Sequence, residues 1–140
     1  MTQEEFVKGL FFKDLCARLP YELKCQISYT FHSEDDNGED IEIEAIRDET
    51  LMSILYGGKV FITDHHRELD IEHIKPYLRP LDSMTKEEAT QYAGFLCEYE
   101  GVEEGAIPEL MDFIYSHHFD ICHLIENGLA LEAPEGMYEI

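Results

Sequence analysis

The sequence predicts an α+β protein: an N-terminal helix, a small five-stranded antiparallel sheet, then a helical lobe with an extended tail. Three observations predict it. The apolar period is helical up to Arg18, becomes strictly two from Leu23, and is helical again after Thr85. Capping-box pairs stand where helices should begin, at Thr2/Glu5 and Thr85/Glu88. Between sheet and lobe lies IKPYLRPLDSMT (residues 74–85), whose Pro76 and Pro80 remove backbone donors and push the preceding residue toward extended geometry. That stretch is expected to be a packed connector, neither helix interior nor central strand.

The 140 residues suit one domain, residues 1–140, with 44% hydrophobic and 11% aromatic content arguing against disorder. Its expected sub-lobes are helical (1–20), β-rich (21–75), a proline connector (76–85), helical (86–128) and an extended tail (129–140). The first helix should start at Gln3, carry Phe12, Leu15, Cys16 and Leu19 on its apolar stripe, and end before Pro20, with Gly9 as a point of kinking or division. Leu23, Cys25, Ile27, Tyr29 and Phe31 alternate with polar residues, the clearest strand in the chain. After HSEDDNGED, with Asn37-Gly38 as turn signal, Ile41, Ile43 and Ala45 continue as an antiparallel second strand. Residues 51–56 and 59–62 read as a hairpin joined at Gly57-Gly58, and residues 69–74 as a fifth strand. Five short strands suit a strongly bent sheet or an SH3-like barrel.

Past the connector, Ala89, Tyr92, Ala93, Leu96 and Cys97 form a helical stripe that stops at Gly101. Pro108 suits the first turn of another helix, with Leu110, Met111 and Ile114 facing inward. Asp120 is placed to cap a third, short helix through Ile121, Leu124 and Ile125, stopped by Gly128; Leu129, Leu131, Met137 and Tyr138 should anchor the tail. No apolar run approaches the roughly 18 residues of a membrane span, and the acidic start MTQEEF is unlike a secretory signal, so a cytoplasmic location is expected. The cysteines Cys16, Cys25, Cys97 and Cys122 stand far apart without a CxxC pair and read as buried thiols.

Charge is the exceptional feature: 31 acidic against 10 basic residues, a net −21, with no Lys or Arg after Lys86. Such a field disfavours nucleic acid and anionic membranes as partners and favours basic proteins or cations. Nine acids fall within residues 34–49, opposed only by Arg47: Glu34, Asp35, Asp36, Glu39, Asp40, Glu42, Glu44, Asp48 and Glu49. Spaced carboxylates on a rigid sheet imitate a phosphate backbone; the plainer reading is a solvated hairpin whose charge discourages edge pairing. Asp35-Asp36-Asn37-Gly38-Glu39 does not follow the calcium-loop pattern.

Two histidine pairs invite a metal reading, Asp64-His65-His66 and the stretch His117-His118-Phe119-Asp120-Ile121-Cys122-His123. Adjacent histidines diverge on a helix or strand, and there is no HExxH, so helix-junction capping by His117 and His118 is the simpler expectation. No GxSxG, no Gly-rich phosphate loop and no nucleophile in a familiar context is present, while Lys13, Arg18, Arg47 and Arg79 are too scattered for a nucleic-acid surface.

Three stretches together carry a resemblance: KDLCARLPY (residues 13–21), IKPYLRPLDSMT (74–85), and HHFD followed by LIENGLALEAPEGMY (117–138). They resemble a group of small, uncharacterised proteins encoded in phages, prophages and mobile elements of gut bacteria. Cys122 and His123 fall outside that pattern. The resemblance implies a phage-type accessory protein and supplies no catalytic residues. The expected function is non-enzymatic: an acidic protein binding a basic, nucleic-acid-handling host or phage factor, as a mimic or inhibitor, through Glu34, Asp35, Asp36, Glu39, Asp40, Glu42 and Glu44. No cofactor or metal is expected. The alternatives are a metal-dependent or His/acid enzyme at His117-His118 and an accessory that acts by oligomerising.

Overall fold

The computed structural model describes residues 2–54, 60–99 and 107–138. The chain forms two compact units, Met1–Tyr77 and Leu78–Ile140, and the division falls inside the predicted connector.

In the first unit, helix α1 runs from Gln3 to Arg18 without interruption at Gly9. The Thr2 hydroxyl accepts from the Glu5 N–H at 3.1 Å and the Glu5 carboxylate accepts from the Thr2 N–H at 3.2 Å, the expected reciprocal cap. Its buried face differs from the predicted stripe. Phe11, Asp14, Leu15 and Arg18 are buried, while Cys16 is exposed. The reason is an ion pair: Arg18 Nε and Nη2 donate to Asp14 at 2.6 and 3.1 Å, so two charges one turn apart occupy core positions.

Strands β1 (Lys24–Glu34) and β2 (Asp40–Ile54) form a long antiparallel hairpin. The second predicted strand and the first arm of the next hairpin are thus one continuous strand. A register shift between Leu51 and Ser53 bends β2 where it meets β3 (Val60–Thr63); the Gly57-Gly58 junction lies outside the described residues. The predicted fifth strand is instead two, β4 (Glu68–Asp70) and β5 (Ile74–Leu78), separated by a 3-10 turn at Ile71–His73. β5 includes Pro76, opposite Cys25 of β1. The other neighbour of β5 in the sheet is β6 (Leu131–Glu132), next to which the Ala133 N–H donates to the Leu78 carbonyl at 2.8 Å. The described strand order is β4-β3-β2-β1-β5-β6, an open sheet of six strands where five were expected, as a bent sheet or an SH3-like barrel. Leu23, Cys25, Ile27, Leu51, Phe61 and Ile74 are buried in this unit with Phe11 and Leu15.

The second unit contains α2 (Lys86–Tyr99) and α3 (Ile107–Ser116). The Thr85/Glu88 box caps α2, the Thr85 N–H reaching Glu88 Oε1 at 2.8 Å and the Glu88 N–H reaching the Thr85 hydroxyl at 3.2 Å. Glu88, Tyr92 and Phe95 face inward, whereas Ala89, Ala93, Leu96 and Cys97 of the predicted stripe are exposed. Phe113, Ile114 and Phe119 form the core, with Leu110, Met111, Tyr92 and Phe95 packed on it. The expected third helix is absent among the described residues. His123 takes a left-handed φ of 56° in mid-segment, so Asp120 caps turns rather than a helix, accepting from the N–H groups of Leu124 and Ile125 at 2.9 and 3.0 Å.

Candidate acidic binding surface

The β1–β2 register decides what the predicted acids can do. β5 pairs with β1 only at residues 25–27, and β3 pairs with β2 only at residues 51–54. Residues 28–46 therefore form a two-stranded ribbon paired only with itself among the described residues. Side chains alternate between its faces. One face carries Glu34 opposite Asp40, His32 opposite Glu42, and Thr30 opposite Glu44. The other carries Tyr29 opposite Ala45, Phe31 opposite Ile43, and Ser33 opposite Ile41. The ribbon is two-sided: the acids gather on the first face, where Ile46, opposite Ser28 and 61% exposed, stands at their end, and the aromatic residues and the other apolar ones gather on the second.

On the acidic face Asp40, Glu42 and Glu44 occupy alternate positions of β2 and are all exposed. Alternate residues of a strand are about 6.8 Å apart, so three carboxylates stand in an evenly spaced row fixed by the backbone ladder. Glu34 adds a fourth charge across the strand pair, and the only imidazole on this face, His32, lies 3.4 Å from Asp40. Arg47 belongs to the opposite face, where it stands across from Ile27. The apolar face is incompletely covered: Phe31 and Ile41 keep 42% and 39% of their surface exposed, and the rings of Tyr29 and Phe31 lie 6.2 Å apart.

The remaining predicted residues sort differently. Asp35 builds the turn: its Oδ1 accepts the N–H groups of Asn37 and Glu39, each at 2.9 Å, while its own N–H donates to the Glu39 carbonyl. Gly38 takes a φ of 78° there, a conformation that a side chain would strain. Asp36 and Glu39 are exposed at the tip. Glu49, counted in sequence with the solvated acids, is buried on the face shared with Cys25.

In the His117–His123 stretch the two leading histidines are engaged by their surroundings. His117 Nδ1 lies 2.8 Å from the Phe113 carbonyl, and its ring lies nearly parallel to Phe119. His118 is buried, has a left-handed φ of 63°, and stacks on Tyr138 at 3.6 Å. Its carbonyl accepts the Arg79 N–H at 2.7 Å. Among the described residues, the grouping with the spacing of metal ligands is a different one, Glu49, Asp64 and His65. Sequence reasoning missed it because Glu49 is 15 residues from Asp64 and reads as one more surface acid.

A cavity of about 420 Å³ in the second unit is lined by Arg79, Ser83, Thr85, Glu132, Glu135 and Tyr138. Arg79 is already engaged there, donating to both Glu88 oxygens at 2.6 and 2.7 Å and lying over the Phe119 ring at 4.4 Å. Of the four cysteines only Cys25 is buried, and burial pushes its thiol well above the ordinary range; Cys16 and Cys97 are exposed. No helix among the described residues is long and apolar enough to cross a membrane. No protein-family model, no curated protein and no solved structure matches the chain, so its function has to be read from its own residues.

Proposed function

We propose that this chain is a non-enzymatic acidic binding protein, of the phage or mobile-element kind its motifs resemble. Through the acidic face of the β1–β2 ribbon it engages a basic protein surface, of the sort that otherwise grips a nucleic-acid backbone. One observation carries the reading: Asp40, Glu42 and Glu44 repeat at alternate positions on a single exposed face, with Glu34 across the strand pair. A merely solvated hairpin needs charge but no segregation, and here Glu34, Asp40, Glu42 and Glu44 share one face while residues 29, 31, 41 and 43 share the other, Ile46 being the apolar exception on the acidic side. Its regularly spaced carboxylates stand in for the phosphates that such a basic surface otherwise meets. Net charge of −21 draws a basic partner over distance, and the ribbon gives the attraction a place to act.

The test is affinity capture from a bacterial lysate with the wild-type chain and with Glu34→Gln/Asp40→Asn/Glu42→Gln/Glu44→Gln. These four side chains are exposed and form no turn, so the variant keeps the fold; Asp35 is left intact because it holds the loop. The wild type is expected to capture a basic protein, with recovery falling as salt rises because exposed charges are screened over about 8 Å at physiological ionic strength. The variant is expected to lose it. Equal recovery of the same partner by both forms, insensitive to salt, would show that the ribbon is only a solvated edge.

A further inference from the structure

We propose that Glu49, Asp64 and His65 form a binding site for a divalent transition-metal ion of the zinc class, separate from the acidic face of the ribbon. Three donors from two parts of the chain converge there. Glu49 comes from β2, on the face opposite the carboxylate row, and Asp64-His65 from the turn between β3 and β4. The His65 Nδ1 atom is 3.0 Å from Glu49 Oε1 and 3.2 Å from Asp64 Oδ1, and all three donor atoms lie within 4.8 Å of one another. Two ligands bound at about 2.1 Å to one ion stand about 3.0 Å apart at a right angle and about 3.4 Å apart at a tetrahedral angle. Both measured separations fall in that interval.

The turn is fixed before any ion arrives. The Asp64 N–H donates to the Thr50 carbonyl at 3.0 Å, the His65 N–H to Glu49 Oε1 at 3.1 Å, and the His66 N–H to the Thr63 carbonyl at 2.9 Å, with His66 at a φ of 60°. Asp64 and His65 are thereby held beside Glu49 by backbone bonds rather than by their side chains.

A buried carboxylate gives the site its anionic anchor. The Glu49 side chain is fully buried, yet its Oε2 accepts no hydrogen bond. The nearest positive group, Arg67 Nε, stands 3.4 Å away, itself makes no hydrogen bond there, and belongs to a guanidinium committed to the Tyr29 ring at 3.8 Å. An ionised carboxylate offers about four acceptor positions, so Glu49 can face Arg67 through Oε2 and still present lone pairs of Oε1 to an ion. Arg67 thus faces Oε2 as an ion pair, and a metal ion on the Asp64/His65 side meets the other oxygen, Oε1, which lies 3.0 Å from His65 Nδ1.

The donor set sets the class. One imidazole with two carboxylates suits zinc and its neighbours better than an all-oxygen cation such as calcium, which takes six to eight oxygens. Asp64 and His65 are 42% and 61% exposed on their side chains, so the remaining coordination positions open to solvent.

Calorimetric titration of the full chain with Zn²⁺, in buffer of physiological salt, tests this, with Co²⁺ as an optical probe. The expected result is one ion per chain. His65→Ala and Asp64→Asn should each weaken binding by at least about tenfold, the loss that removing even a supporting group beside a metal produces. Both side chains are exposed, so circular dichroism should show both variants folded. The ribbon variant Glu42→Gln/Glu44→Gln should bind as the wild type does, and the visible absorption of bound Co²⁺ should vanish in His65→Ala. The proposal is overturned if no stoichiometric binding is seen, if His65→Ala binds as well as wild type, or if affinity follows the ribbon charge instead.

Discussion

Replacing Glu88 by Ala is expected to destabilise the second unit by about 3–5 kcal/mol, the cost of stranding a buried charge when its partner is removed. Arg79 is 8% exposed and its guanidinium donates to both Glu88 oxygens, so the truncation leaves the cation without its counter-ion beside Phe119. The same carboxylate accepts the Thr85 N–H, so the cap of α2 goes with it. Hydrogen bonds from Arg79, against the opposing effect of burial and aided by the Thr85 N–H, hold the Glu88 pKa at about 2, below its ordinary 4.5. A pKa lower in the folded chain means stability that is complete above about pH 4.5 and is lost as pH falls toward 2. Its size is on the order of 3 kcal/mol. Denaturant melts of wild type and Glu88→Gln should therefore differ most at neutral pH and converge in acid. A gap that is constant across that range would mean that the ion pair does not carry the stability assigned to it.

Asp14→Ala should cost the first unit a similar amount, about 3–5 kcal/mol, by leaving Arg18 buried without its carboxylate. Both side chains are at most 1% exposed, and the bond from Arg18 Nε to Asp14 is 2.6 Å long. An apolar replacement of the pair, Asp14→Leu with Arg18→Met, should recover most of the loss, because it removes both desolvation penalties together. Thermal melts of the two variants decide it. A single variant that melts within error of wild type would place the pair at the surface rather than in the core.

These two pairs show where the sequence was opaque. Asp14 and Arg18 stand at i, i+4, the spacing of an ordinary surface pair, and nothing in one sequence says that this pair faces inward and displaces the apolar stripe by a residue. The stripe of α2 failed for a related reason: Glu88 follows Arg79 into the core, which turns Tyr92 and Phe95 inward and leaves Leu96 49% exposed. The strict alternation of β1 and both capping boxes were legible because they depend on neighbours within four residues. Pro76 in a strand was not, since its tolerance depends on which edge of β5 is paired. The left-handed backbone at His118, just past α3, and at His123, which ends any helix after Asp120, has no Gly or Asn to announce it. For the binding surface, the density of acids was legible, but the division into faces needed the register. Asp35 was separable from its neighbours, because an aspartate two residues before Asn-Gly is itself a turn signal.

Hydrogen exchange on the chain alone and in complex with its captured partner tests the binding role of the ribbon most directly. If the acidic face is the contact surface, backbone amides at residues 28–46 should gain protection in the complex, and raising the salt should erase that gain as the partner dissociates. Protection confined to α2, α3 or residues 129–138, with the ribbon exchanging as it does in the free chain, would contradict the account.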